Sequence, residues 1–199
     1  NPNDRWVDNF NEVLHTLHSF VEAGKIRAVG ISNEKAWGTM RFAEEVRNHN
    51  FTPISTTQNA YSMLNRVFEV DMAEVSMREN IGLLAYSPLA FGVLTGKYIE
   101  GTAADNARLN LFPRFARYSS EQSSEATKQY LLLAKDLGMS LTTLALAFVN
   151  QRPFVTSNII GATNLEQLKE NIDSINIQLS KETLDRINAI HASIPNPAP

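Results

Sequence analysis

Three short β-prone runs recur at nearly even spacing, with a helical pattern between each pair. That rhythm leaves a 199-residue chain few architectures to choose from. The runs are residues 26–31 (I-R-A-V-G-I), 54–58 (I-S-T-T-Q) and 81–86 (I-G-L-L-A-Y), roughly 27 residues apart. Between them, Met40, Phe42, Ala43 and Val46 mark a helix over residues 34–49, and Phe68, Met72 and Val75 mark another over 65–79. Strands separated by single helices predict βαβ crossovers and a parallel sheet. A first helix over residues 8–23 precedes them, with Phe10, Val13, Leu14, Leu17 and Val21 on one face. Gly24 then stands where a glycine commonly ends a helix.

Residues 90–118 break the rhythm. They are rich in Gly, Asn, Arg and aromatic residues and too long for an ordinary connection, so they read as a functional loop or lid. Two helices follow, over residues 121–136 and 141–150, the second capped by Ser140 and ended by Pro153. A fourth strand is expected over 157–160 and a last helix over 181–192, capped by Ser180.

The fourth strand runs into I-I-G-A-T-N-L-E-Q-L-K-E-N-I, residues 159–172. Thr163 and Glu166 have capping-box spacing, so a helix should open at Thr163. A strand that turns through Gly161 and Ala162 onto a helix start aims free backbone N–H groups at one point, which suits an anion. Gln167, Glu170 and Asn171 fall on one face behind that start. An ordinary capped βα turn is the plain alternative.

A complete eight-stranded α/β barrel takes about 250 residues, more than this chain provides. An open doubly wound sheet normally carries its phosphate loop after the first strand, whereas the best candidate here follows the last. Many barrels hold phosphate in the loops after their seventh and eighth strands. The expected fold is therefore α/β, the C-terminal half of a (β/α)8 TIM barrel, with residues 1–199 belonging to a single domain.

Net charge is -3 with no long basic run, so neither nucleic acid nor an anionic membrane is an expected partner. No apolar stretch approaches the roughly 20 residues that span a bilayer, and the opening N-P-N-D-R-W has no signal-peptide core. The absence of cysteine excludes disulfides, a thiol nucleophile and thiolate metal sites. It fits a reducing compartment, the cytoplasm, with an organelle as the alternative should a transit peptide lie upstream.

Four segments, G-K-I-R-A-V-G-I-S-N (24–33), T-Q-N-A-Y-S (57–62), L-L-A-Y-S-P-L-A-F-G-V-L-T-G-K-Y (83–98) and the 159–172 motif, resemble the aldo-keto reductases in order and spacing. Residues 106–119 and the tail P-N-P-A-P extend the resemblance, which is nearest to the Tas-like and potassium-channel β-subunit branch. The resemblance implies a barrel that binds NADP(H) in extended form across its strand ends and passes hydride to a small carbonyl substrate. It implies that Ser32, Asn33 and Gln58 hold the nicotinamide carboxamide and that its ring stacks on Tyr86. Ser87, Pro88, Leu89, Ala90 and Phe91 match the loop around the pyrophosphate, and Lys97 and Arg108 match cations near the phosphates. Gly161, Ala162 and Thr163 match the 2′-phosphate cradle with Gln167, while Glu170 and Asn171 match the adenine positions.

The family's proton donor is a tyrosine supported by a lysine, an aspartate and a histidine, all carried by its first four strands. The match here begins after strand four, so no catalytic residue is assigned and this chain alone should not reduce carbonyls. Half a barrel would also leave two open sheet edges, so it needs its N-terminal half or another chain to cover them. The alternatives are a redox-sensing dinucleotide module with little turnover and a structural half-barrel that pairs with itself. Tyr61 reads as packing or substrate-mouth structure, and His15 and His18 as helix surface, because no third metal ligand accompanies them.

Overall fold

The computed structural model describes residues 8–105, 107–112 and 116–199; part of the 106–119 segment therefore lies outside the described residues. The chain runs α1 (Phe10–Glu22), β1 (Val29–Ser32), α2 (Ala36–His49), β2 (Ile54–Ala60), α3 (Met72–Glu79) and β3 (Gly82–Tyr86). It continues through α4 (Arg108–Leu111), α5 (Glu121–Asp136), α6 (Leu141–Asn150), β4 (Val155–Asn158), α7 (Leu165–Asp173) and α8 (Lys181–Ser193). Short 3-10 turns punctuate it at Val67–Glu69, Ala90–Thr95, Ala116–Tyr118 and Ser174–Asn176.

The four strands form one parallel sheet in the order β1-β2-β3-β4. A doubly wound sheet reverses its strand order part-way. A monotonic order is that of strands along a barrel wall. One face lies under helices: Thr57, Leu83 and Ala85 are fully buried there. The other is open, with Gly30, Ser32, Gln58 and Thr156 all exposed and Leu84 half-buried beside Gln58. On it Gly30 stands opposite Thr56 and Thr56 opposite Gly82. A Cβ at Gly30 would sit 2.7 Å from the Thr56 hydroxyl, and one at Gly82 would sit 1.9 Å from the hydroxyl of Thr156. Glycine is required at Gly82 because its neighbour on β4 already fills the space.

Local signals set several boundaries. Gly24 is left-handed (φ 68°), with its N–H on Val21 O and that of Lys25 on Phe20 O, the paired closure of a glycine-ended helix. Ser140 and Ser180 accept from Thr143 N and Thr183 N, as hydroxyl caps do. Three expectations need correction. Strand β4 is Val155–Asn158, so Ile159 and Ile160 lie beyond it, although Ile159 N still reaches Ala85 O at 2.8 Å. The helix expected over 65–79 is confined to α3, preceded by a 3-10 turn that folds inward. Over its described residues the 90–118 stretch is no free lid, since Ala90, Val93, Leu94 and Ala107 are buried.

α6 is the centre of the packing. Eight of its ten residues are buried, and a helix apolar on all sides must be covered on all sides. Tyr61 is fully buried against Phe148 and Phe154, with ring centroids 6.1 and 5.3 Å away. Its hydroxyl donates to Glu69, whose two oxygens accept from Arg66 Nε and Nη2 at 2.8 and 2.7 Å. Arg66 also donates through Nη1 to Asn188 on α8 (2.9 Å) and through its backbone N–H to Asn196 (2.7 Å). These bonds, with Ala198 N on Leu64 O, tie the C-terminal tail to the loop after β2.

Burial alone would raise the Glu69 pKa, but hydrogen bonds from Arg66 and Tyr61 outweigh it and hold the carboxyl below the usual carboxylate range. A depressed carboxyl stabilises the fold above its unfolded pKa of about 4.3 and loses that contribution as pH falls below it. Glu69→Gln leaves the buried Arg66 without its counter-charge and should cost about 2–4 kcal/mol at pH 7 in urea denaturation. The gap between variant and parent should narrow below about pH 4. A gap unchanged between pH 7 and pH 3 would show that the carboxylate charge contributes nothing.

Candidate functional site

The C-terminal ends of β1, β2 and β3 are joined by side chains into one band. β1 stops at Ser32, and Asn33 turns out of it in a left-handed conformation (φ 55°) that asparagine adopts more readily than most residues. Asn33 N and Ser32 Oγ both donate to Gln58 O, at 3.0 and 3.1 Å. Asn33 Nδ2 donates back to Ser32 Oγ at 3.1 Å, and Asn33 Oδ1 accepts from the Tyr86 hydroxyl at 2.8 Å. Beneath the band, Asn59 Nδ2 holds Glu34 O at 3.1 Å, which fixes the turn between β1 and α2. The Gln58 side chain is exposed and makes no hydrogen bond among the described residues, so it offers two donors and an acceptor to a ligand.

Beyond Tyr86 the backbone is unusual. Ser87, Ala90 and Phe91 have φ of 55°, 48° and 55°, and Gly92 continues at 89°. Each left-handed non-glycine residue costs roughly 1–2 kcal/mol. The turn persists because Ala90 N bonds Ser87 O at 2.9 Å, Gly92 N bonds Leu89 O at 2.8 Å, and Pro88 and Ala90 are buried. The two expected cations gather on it. The Arg108 guanidinium lies 4.3 Å over the Phe91 ring, and the Tyr118 ring is 4.8 Å from the same ring. Lys97 Nζ is close enough to Gly92 that a Cβ there would come within 3.0 Å of it. Lys97 has no carboxylate partner among the described residues.

The third part lies past β4. Gly161, Ala162 and Thr163 are exposed. The cap of α7 is Asn164, one residue later than expected, and its Oδ1 accepts from Gln167 N at 2.9 Å. Gln167, in place of Glu166, reaches back: its Oε1 accepts from Thr163 N and Thr163 Oγ1 at 2.9 and 3.0 Å. Asparagine caps as well as threonine does, so the position is decided by Gln167 holding Thr163 outside the helix. Asn171 is buried, with Nδ2 on Gly161 O at 3.1 Å. Glu170 instead accepts from Ser140 and Thr143 at the start of α6.

These three parts follow one edge of the sheet, the ends from which every strand hands over to its helix. A concavity of about 740 Å³ lies elsewhere, between α5 and the tail at Pro195 to Pro199. The strand ends form an open shelf, with Ser32, Asn33, Gln58 and Gly161 exposed along it. Among the described residues no three His, Asp or Glu side chains gather where they could hold a metal ion.

The sequence pattern described as the Aldo/keto reductase family matches residues 2–192. The chain belongs to that family. Its members are oxidoreductases, and the parallel sheet fits part of an aldo/keto reductase barrel. The chain is 47% identical to "Protein tas" of Escherichia coli K12 over 98% of its own length and 58% of that protein's. It is 38% identical to an "Aldo-keto reductase" of Babesia bovis over 80% of the chain and 58% of the relative. To the "L-glyceraldehyde 3-phosphate reductase" of Escherichia coli K12 it is 31% identical over 83% of the chain and 49% of the relative. It thus spans between about half and 58% of these proteins.

As a stretch of aldo/keto reductase, the loop after β3 carries a measurable strain. Ala90→Gly should relieve it and raise stability by about 1 kcal/mol. Ala90→Val, β-branched at positive φ, should lower stability by at least about 2 kcal/mol. Thermal denaturation measures both, and shifts of the same sign would contradict the left-handed assignment.

Proposed function

We propose that this chain is the dinucleotide-binding part of an NADPH-dependent carbonyl reductase, formed by the fifth to eighth strands of its barrel within one domain. The observation that carries the reading is the bonded band of Ser32, Asn33, Gln58 and Tyr86 across three consecutive strand ends. Primary amides and a hydroxyl there offer the donors and acceptors that a carboxamide needs, and the aromatic ring beside them offers a surface for a flat heterocycle. When bound, NADPH supplies the hydride that converts an aldehyde or ketone to an alkoxide.

The chain's own residues divide the work by charge. Ser32, Asn33 and Gln58 orient the neutral end, with Tyr86 held in place through Asn33. Lys97 and Arg108 flank the Ser87, Leu89 and Phe91 turn, where two phosphates would need positive charge. Gly161, Ala162, Thr163 and Gln167 take the far phosphate at the start of α7, and Glu170 and Asn171 stand behind it on the adenine side. Lys97, with no carboxylate partner among the described residues, is the feature that best fits an anionic ligand.

The alkoxide also needs a proton. Tyr86 is engaged with Asn33, and Tyr61 is buried with its hydroxyl on Glu69 and its pKa pushed up, first by that burial. Neither is placed as a donor on the shelf. The proton would come from the N-terminal half-barrel, which would also cover the open sheet face.

The full-length protein should quench NADPH fluorescence on binding, and Tyr86→Ala should weaken the Kd about tenfold, the scale of one aromatic contact. Residues 1–199 alone should not oxidise NADPH in the presence of aldehydes. An unchanged Kd in the variant, or turnover by the chain alone, would overturn the reading.

A further inference from the structure

A ring of hydrogen bonds closes behind the exit of β4. Asn158, the last residue of β4, donates from Nδ2 to Asn150 Oδ1 at the end of α6 (3.0 Å). Asn150 Nδ2 donates to Ser174 Oγ (3.2 Å), and Ser174 Oγ donates to Asn171 O (2.6 Å). Asn171 Nδ2 then donates to Gly161 O (3.1 Å). The ring therefore begins at the end of β4 and returns to the chain at Gly161. The segment it spans is also held at its two ends, by Ile159 N on Ala85 O and by Gln167 on Thr163. Ile159 and Ile160 are more than a third exposed, and a Cβ at Gly161 would meet nothing within 4 Å. Ser174 and Asn171 are buried, and a buried amide or hydroxyl that loses its partner is costly. The ring thus holds the middle of the segment, at Gly161, between those two anchors.

We propose that Asn150 and Ser174 are positioning residues that set the Gly161–Thr163 phosphate cradle from behind, and so set the preference for a 2′-phosphorylated dinucleotide. This rests on the reading of that segment as the far phosphate end of the site. Neither residue lies on the shelf: Asn150 ends α6, and Ser174 follows α7. They act through Asn171, whose backbone carbonyl accepts from Ser174 and whose side-chain amide holds the Gly161 carbonyl next to the Ala162 N–H. The Thr163 N–H is held by Gln167. Neutral Gly161 and Gln167 supply no charge to attract the phosphate, so the placement of backbone donors must carry the discrimination.

The test uses the full-length protein with Asn150→Ala, Ser174→Ala and the double variant, titrated with NADPH and with NADH by fluorescence quenching. Each single variant should raise the NADPH Kd about tenfold and leave the NADH Kd within about twofold. The double variant should be no worse than the weaker single, because both break one ring. Circular dichroism at the assay temperature confirms that each is folded, and either single variant suffices if the other is not. Equal weakening of both dinucleotides would mean general loosening and overturn the inference, as would unchanged affinities. A parent protein that binds neither dinucleotide would instead overturn the site reading beneath it.

Discussion

The register of β2 against its two neighbours is the constraint on which the rest depends. Ser32 pairs with Gln58 and Gln58 with Leu84, so the ends of β1, β2 and β3 lie nearly level. Only then can the Tyr86 hydroxyl on β3 reach Asn33 beyond β1, across the whole width of β2. A slip of one residue would turn Ser32 and Gln58 to the helix side and bring their polar groups into the core. The register is protected by the residues lower in the strands. Gly30 and Gly82 leave room for Thr56 and Thr156 on the open face, while Leu83 and Ala85 fix the covered one.

The covered face is supported by α6, and the support extends beyond apolar packing. The Tyr61, Glu69 and Arg66 group sits against Phe148 and reaches α8 and the tail. The exit of β4 is tied to the last residue of the same helix through Asn150. One helix thus braces two stretches of the strand-end edge that are far apart in the chain. The open face has no comparable support among the described residues, and in the proposed barrel the other half would supply it.

Features set by short-range chemistry were legible in the sequence. The glycine at Gly24 and the serines at Ser140 and Ser180 act within one helical turn, and each stands where its residue type suggests. Strand β3 was readable because its apolar run coincides with its pairing, and β2 because Pro53 precedes a stretch rich in β-branched residues, Ile54, Thr56 and Thr57. β4 was not, since its four residues Val-Thr-Ser-Asn are mostly polar and are held by backbone bonds to β3. The neighbouring Ile159 and Ile160 look more strand-like and lie outside it. The helix expected over 65–79 failed for a long-range reason: Arg66 is held by residues from 122 to 130 positions away. Of the site, the strand-end polar residues could be found through the motifs they belong to. Asn150 and Ser174 could not, because nothing in a sequence ties the end of one helix to the end of the next.

In the proposed function the three parts of the shelf act as one extended dinucleotide site. Hydrogen–deuterium exchange on the full-length protein, with and without saturating NADPH, tests this most directly. Residues 32–33, 86–92 and 161–167 should all become slower together, with residues 51–54 at the opposite ends of the strands unchanged. Protection confined to one of the three segments, or found at the opposite ends, would contradict it.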